Sequence, residues 1–381
     1  MDFALSEEQL AFRETARAFA AAEMAPHAAR WDEDKVLPVE TLRAAAALGF
    51  GAIYVRDDVG GAGLTRLDAA IIFEELAQGC TSTAAYISIH NMVTWMIDRW
   101  GTDAQRRHYL PTLATMERLG AYCLTEPDSG SDAAALATRA RRDGDVYVLD
   151  GSKAFTSGAG VSDVYLVMAR TGEAGARGIS CFIVEKDTPG LTFGAQERKL
   201  GWNSQPTAAV ILEDCRVPAA NRLGSEGDGF KIAMAALDGG RVNIGACSVG
   251  GAQFCLDRAL THVGERRQFG RPIGDFQGLR FMLADMATEL AAARLMLWHA
   301  ATRLDAGGPD ATAAVAMAKR FATDVCFRVA DQALQLHGGY GYLKDHPIER
   351  VLRDLRVHRI LEGTNEIMRV IIARSLLGAE R

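Results

Sequence analysis

Apolar positions along the chain pass through three regimes. Over roughly the first 118 residues they recur at helical spacing, and from about Ala121 to Gly224 they gather into short β-rich runs. After Gly229 the helical period returns and persists. At the start, Ser6-Glu7-Glu8-Gln9 matches a capping box, and Leu10, Phe12, Ala16, Phe19 and Ala20 form an apolar stripe behind it. Pro26 and Pro38 punctuate that stripe, and further helices are predicted at roughly 39–48, 66–79, 85–99 and 103–116. The middle runs are Val146–Leu149, Asp163–Met168, Ile179–Val184 and Ala209–Leu212, with turn signals at Asp150-Gly151 and Thr188-Pro189-Gly190. Beyond them, helices are predicted at roughly 228–263, 275–306, 310–337, 345–358 and 364–377. The spacing predicts an α+β multidomain chain. An N-terminal helical domain (1–118) is followed by a middle β-barrel or sandwich domain (119–228) and a C-terminal four-helix-bundle domain (229–381).

Length agrees with that division, since 381 residues exceed what one simple core organises. A net charge of -6, without a basic run, gives no footprint for nucleic acid. The seven cysteines are scattered and contain no C-x-x-C, which argues against a disulfide framework or zinc site and for buried thiols in a reducing compartment. The N-terminal Met1–Glu8 segment is acidic and carries neither a secretory nor an Arg-rich transit signature. No apolar run approaches membrane-spanning length. A cytoplasmic bacterial protein is expected, or a processed form from the mitochondrial matrix.

Several stretches carry candidate chemistry. Tyr122–Asp132 packs hydroxyls, carboxylates and a turn into one loop, which suits a polar ring or a phosphate and equally suits a domain link. Gly151–Ala159 sets Phe155 among hydroxyls, as stacking on a heteroaromatic ring would require, but would also pass for a hairpin. Asp238-Gly239-Gly240-Arg241 interrupts a helical pattern with glycines that cost ~1 kcal/mol each there. Arg266–Gly270 places guanidinium charge beside Phe269, and Gln335–Gly341 is a glycine-rich helix end. Val59–Gly63 is also glycine-rich but lacks the strand–helix context of a phosphate loop and reads as a turn. Glu362 falls in a break between two helices, behind a run of arginines and before Gly363 and a possible Thr364 cap. Read alone, it is a base candidate or simply a surface carboxylate.

Taken together in their order, these motifs are specific. Tyr122-Cys123-Leu124-Thr125-Glu126-Pro127 with Gly130-Ser131-Asp132 resembles the first signature of the acyl-CoA dehydrogenase family. Gln335–Gly341 through Glu362-Gly363-Thr364-Asn365-Glu366-Ile367 resembles the second. The similarity spans essentially the whole chain. Gly79–Met92, Lys199–Thr207 and Gly338–Asp345 are most similar to members acting on isobutyryl-CoA.

The resemblance implies FAD, a homotetramer built as a dimer of dimers, and electron-transfer flavoprotein as acceptor. It implies that Tyr122, Cys123, Leu124, Thr125 and Ser131 line the flavin, with Phe155 stacking near it and Thr156 and Ser157 beside its N5. It implies that Arg266, Phe269, Phe276 and Gln277, with Gln335, Leu336, His337, Gly338 and Gly339, hold the pyrophosphate and adenosine across a subunit boundary. Thr364, Asn365 and Glu366 would complete that site. Ser131, Asp238, Gly239, Gly240, Arg241 and Arg374 would meet the CoA thioester. A minority of the family carries its base immediately before the arginine of the 238–241 segment; here that position is Gly240, which leaves Glu362.

The implied reaction is α,β-dehydrogenation of a short branched acyl-CoA, isobutyryl-CoA to methacrylyl-CoA in valine catabolism. The rivals are a dehydrogenase for 2-methylbutyryl-CoA or a straight short chain, an oxidase, and, in a different class, an inactive assembly or binding subunit. The helix following Glu362 would lower its pKa, and desolvation by bound substrate is expected to outweigh that effect.

Overall fold

The computed structural model describes residues 4–378; the extreme ends, including the first residues of the acidic N-terminal segment, lie outside the described residues. Helix α1 (Glu7–Phe19) begins at Ser6 with the reciprocal capping box in place. It is followed by α2 (Ala28–Asp34), α3 (Val39–Ala47), α4 (Arg66–Gly79), α5 (Thr81–Trp100) and α6 (Asp103–Ala114). Thr65 and Thr102 supply capping boxes for α4 and α6.

The β region contains β1 (Gly120–Cys123), β2 (Arg139–Asp143), β3 (Val146–Ser157), β4 (Val164–Arg170), β5 (Ile179–Glu185), β6 (Leu191–Phe193), β7 (Thr207–Pro218) and β8 (Arg222–Leu223). All belong to one mixed eight-stranded sheet in the order β6-β7-β3-β2-β4-β5-β8, with β1 added parallel to β4. The sheet curls on itself. Tyr165 of β4 and Phe193 of β6 stand four strands apart in that order, yet their rings are 5.2 Å apart. A flat sheet would separate them by about 19 Å. Both faces of β4 are buried. Tyr165 and Val167 face the sheet's own core, whereas Val164, Leu166 and Met168 pack on Met92, Val93 and Ile97 of α5. That double burial is why β4 reads as a continuous apolar run rather than an alternation.

The last region starts with α7 (Gly229–Glu265), about 55 Å long. A small hairpin, β9 (Arg267–Gln268) and β10 (Arg271–Pro272), leads to α8 (Gln277–Ala306), α9 (Ala311–His337), α10 (Ile348–His358) and α11 (Asn365–Leu377). The helix predicted at 228–263 is α7, and it runs through Gly239 and Gly240, where a Cβ would meet the side chains of Arg66 and Glu362. One apolar core joins α1, α4 and α5 to α7, α8, α9 and α10, so the outer helical regions share a continuous interior. All seven cysteines are free and buried. No helix among the described residues is long and apolar enough to cross a membrane.

Candidate active site

Glu362 lies in the short turn between α10 and α11, where Arg359 ends one helix and Thr364 caps the next by accepting from the Ile367 N–H. Glu362 and Gly363 are consecutive left-handed residues with φ of 55° and 88°. A non-glycine in that region is strained, and such strain gathers where a side chain must be aimed. The turn aims the carboxylate at α7. Gly240 is glycine because any Cβ there would overlap the Glu362 carboxylate, and Gly239 because a Cβ would overlap the Arg66 guanidinium. Among the described residues Glu362 Oε2 is buried without a hydrogen-bond partner. Burial raises the Glu362 pKa to about 7 against the opposing charges of Arg241 and Lys319. Burial by the protein alone therefore outweighs the two nearby cations. The surface-residue reading is excluded.

Asp238 and Arg241 do not reach outward for a thioester. Arg241 donates through Nε to the Glu362 carbonyl at 2.9 Å and pairs with Asp238 at 2.7 Å, and Asp238 accepts from Thr312 Oγ1 at 2.7 Å. One helical turn on α7 brings this pair together, and it holds the Glu362 backbone. Arg374 is exposed near the end of α11, about 15 Å along the helix from the Thr364 cap. Asn365 also turns inward, donating to Thr323 Oγ1 and Asp324 Oδ1, because its carboxamide completes the packing of α11 on α9. Glu366 is exposed.

The flavin candidates of the β region do come together. Ala154 N–H donates to Thr125 O at 2.8 Å, which ties the 122–132 loop to β3. Phe155 sits in a β3 bulge at φ 55° and is 66% exposed, so its ring faces outward. Thr156 is buried against Cys123, whose own strand partner is Val167. The Tyr122 hydroxyl reaches the Ala233 carbonyl at 3.5 Å, and Leu124 is buried with it. The side-chain hydroxyls of Thr125, Ser131 and Ser157 have no partner among the described residues. An exposed aromatic beside uncommitted hydroxyls fits a flavin ring.

Sequence reasoning left out the side chains that hold this loop. Lys153 is fully buried and donates to Leu124 O at 3.2 Å and Glu126 Oε1 at 2.7 Å; Glu126 also accepts from the N–H groups of Ala137 and Thr138. Burial lowers the Lys153 pKa. For Glu126, burial acts upward but Lys153 and the hydrogen bonds carry it below the usual carboxylate value. The signal was a lysine at an inward position of a strand, which demands an acidic partner.

The second group of candidates forms its own open cleft of about 370 Å³, lined by His262, Arg266, Gln268, Gln335 to Tyr340 and Leu343. His337 stacks on His262 with ring centroids 4.2 Å apart, and Arg266 lies over the Tyr340 ring. Phe269 is 92% exposed at the hairpin tip and meets Phe276 edge to face, while Gln277 starts α8 exposed. Glycines at 338 and 339 with open space above them, flanked by Arg266, suit close approach of a phosphate. Together the two clefts fit the two ends of FAD. Among the described residues no cluster of His, Cys, Asp or Glu is arranged to hold a metal ion.

Comparison with known proteins agrees with this geometry. Family models for the N-terminal, middle and C-terminal domains of acyl-CoA dehydrogenase match residues 6–117, 121–215 and 227–377. The mitochondrial isobutyryl-CoA dehydrogenase of Dictyostelium discoideum is 60% identical over 373 residues, covering 98% of this chain and 90% of that protein. The solved butyryl-CoA dehydrogenase of Megasphaera elsdenii superposes with a TM-score of 0.96 at 38% identity, covering 99% of this chain and 100% of that one. A chain from a solved structure concerned with the electron transferring flavoprotein of Acidaminococcus fermentans gives a TM-score of 0.97 at 41% identity over 100% of both chains. With three domain models matched in order and near-complete coverage by these relatives, the chain belongs to the acyl-CoA dehydrogenase family, whose members are FAD-dependent oxidoreductases.

Proposed function

We propose that the chain dehydrogenates isobutyryl-CoA to methacrylyl-CoA, a step of valine breakdown, with Glu362 as the base. The observation that carries this reading is the buried, unpartnered Oε2 of Glu362 pressed against Gly240. Glu362 takes the α-proton, which needs a carboxylate whose pKa lies near working pH. FAD, when bound, supplies the acceptor for the β-hydrogen. The Glu362 N–H donates to no group among the described residues and is available to the thioester oxygen as negative charge develops there. Arg241 and Lys319 hold the two carbonyls of the turn, which fixes that N–H together with the carboxylate. Leu361, next to the base, packs with Ala85, Ile89, Ile244 and Trp202, an apolar wall in keeping with a short branched acyl group.

Thr125, Phe155, Thr156 and Ser157 would hold the flavin ring. Arg266 and Gln335 to Gly339 would hold the pyrophosphate and adenosine of FAD bound chiefly to a second copy, in a homotetramer. Electron-transfer flavoprotein is the proposed acceptor. The proposed location is the cytoplasm of a bacterium, or the mitochondrial matrix if the chain is a processed form.

Anaerobic bleaching of bound flavin by isobutyryl-CoA, n-butyryl-CoA and 2-methylbutyryl-CoA, run in parallel, tests the substrate. Isobutyryl-CoA should be fastest. Since one methylene discriminates by about 1–3 kcal/mol, the margin over 2-methylbutyryl-CoA should be roughly tenfold or more. A faster n-butyryl-CoA or 2-methylbutyryl-CoA reaction would reassign it.

A further inference from the structure

The turn that aims Glu362 is closed by one backbone bond, from the Asn365 N–H to the Arg359 carbonyl at 3.0 Å, which leaves the carbonyls of Glu362 and Gly363 to other partners. It contains two successive left-handed residues, and its two carbonyls face inward. Each carbonyl meets a cation from a different helix. Arg241 of α7 reaches Glu362 O, and Lys319 of α9 reaches Gly363 O at 2.8 Å and Asn365 Oδ1 at 3.2 Å. Lys319 is fully buried on the apolar stripe of α9 formed by Val315, Ala316, Ala318 and Ala322. No carboxylate stands within salt-bridge distance of it among the described residues. Burying an ammonium without a carboxylate in contact costs several kcal/mol. A methionine would fill the same stripe without that cost, so packing does not account for a lysine. Asn365, its other contact, is fixed in turn by Thr323 and Asp324, and Asp324 is tied to Arg359 at the end of α10.

We propose that Lys319 is the positioning residue of the base: its ammonium binds the Gly363 carbonyl and the Asn365 side chain, locks the left-handed Glu362–Gly363 turn, and keeps the carboxylate facing Gly240. The proposal rests on Glu362 being the base. It has an electrostatic side as well. Lys319 opposes the rise that burial imposes on Glu362. Burial lowers Lys319's own pKa to about 7, with Glu362 the main opposing charge. The other groups around the pair are Arg241 on α7, Asp324 on α9, His358 on α10 and Glu366 on α11, with Tyr54, Tyr122 and Cys247 facing Glu362. Removing the Lys319 charge therefore moves the Glu362 titration upward.

The test measures the rate of anaerobic flavin reduction by saturating isobutyryl-CoA from pH 5.5 to 9, with FAD content and KM determined on the same preparations. Lys319→Gln retains a donor for the Gly363 carbonyl and loses the charge. Its acidic limb should move up by about one pH unit, giving a roughly tenfold loss at pH 6.5 that recovers by pH 9, at little-changed KM. Lys319→Met loses both and should be slower by about 10–100-fold across the whole range. Lys319→Arg should restore the limb toward wild type. An FAD-loaded Lys319→Gln with the wild-type limb overturns the proposal, as does a variant that only lowers the melting temperature. Should Lys319→Met fail to fold, the Gln and Arg pair decides. If instead Glu362→Gln still reduces flavin, the base assignment itself has failed; Glu362→Gln inactive with Lys319→Gln unaltered removes Lys319 alone.

Discussion

A carboxylate raised to about pH 7 by burial has two consequences that run in opposite directions. As the proposed base it must be ionised, so the rate of substrate α-proton removal should be low below pH 6 and climb through about pH 7, read as the acidic limb of kcat/KM. Glu362→Gln should lower flavin reduction by at least 10²–10⁴-fold. For stability the sign is reversed. The folded pKa lies above the usual carboxylate value, so Glu362 is neutral and harmless to the fold at pH 4, and its cost appears as pH rises from the unfolded value through about 7. Glu362→Gln should therefore raise the melting temperature at pH 8, by on the order of 2 kcal/mol of stability, and leave it unchanged near pH 4. A variant no more stable than wild type at pH 8 would show that the carboxylate is better solvated than its burial indicates. Gly240→Ala sets a methyl group against the same carboxylate and should lower kcat while FAD content holds.

At the scale of elements, the surface proposed to face the flavin depends on one buried ion pair, Lys153 with Glu126, that pins a loop to a strand. Glu126→Ala leaves an ammonium buried without its partner and should cost about 3–5 kcal/mol in chemical denaturation, with loss of bound FAD. Thr364→Ala, by contrast, removes only a cap from α11 and should cost about 1 kcal/mol. The helices were legible in the sequence because their apolar stripes and caps are local. Ser6-Glu7-Glu8-Gln9 announced α1, and Gly338 announced the end of α9. At Asp238–Arg241 the helix was legible, but what the glycines face was not. Its glycines face Arg66 and Glu362, which lie far away in sequence, so the partners cannot be read from the local pattern. The roles of Arg241, Asn365 and Lys319 were hidden for the same reason, since each is defined by a partner on another helix. Glu362 was singled out by its motif and by the glycine at 240, and the structure sets its carboxylate against that glycine.

Across the whole molecule, a buried cluster joins the loop after β6 to the helices behind Glu362. Trp202, on the loop after β6, donates through Nε1 to His358 Nε2 at 3.0 Å, and its N–H bonds to Asp354; Ser248 of α7 meets the other His358 nitrogen at 2.7 Å. Burial lowers the His358 pKa to about 3 and raises that of Asp354 to about 7. Neutral His358 thus accepts from the indole at any ordinary pH. Trp202→Phe removes the donor while retaining most of the ring, and should split a single calorimetric transition into two as the β region melts ahead of the bundle.

The buried cysteines give the folded chain a property of practical use. Burial raises the thiol pKa of Cys123 to about 12 and that of Cys215 to about 11, and pushes Cys181, Cys247, Cys255 and Cys326 well above the ordinary thiol value. Together with buried Cys80 they are spread over all three regions, from α4–α5 through the sheet to α7 and α9. Because the thiolate is the reacting form, a maleimide or disulfide reagent meets a chemically silent surface until some part of the chain opens. Labelling followed residue by residue would therefore time the opening of each region separately, and a single cysteine engineered on the surface would be the sole fast-reacting handle for attaching a probe.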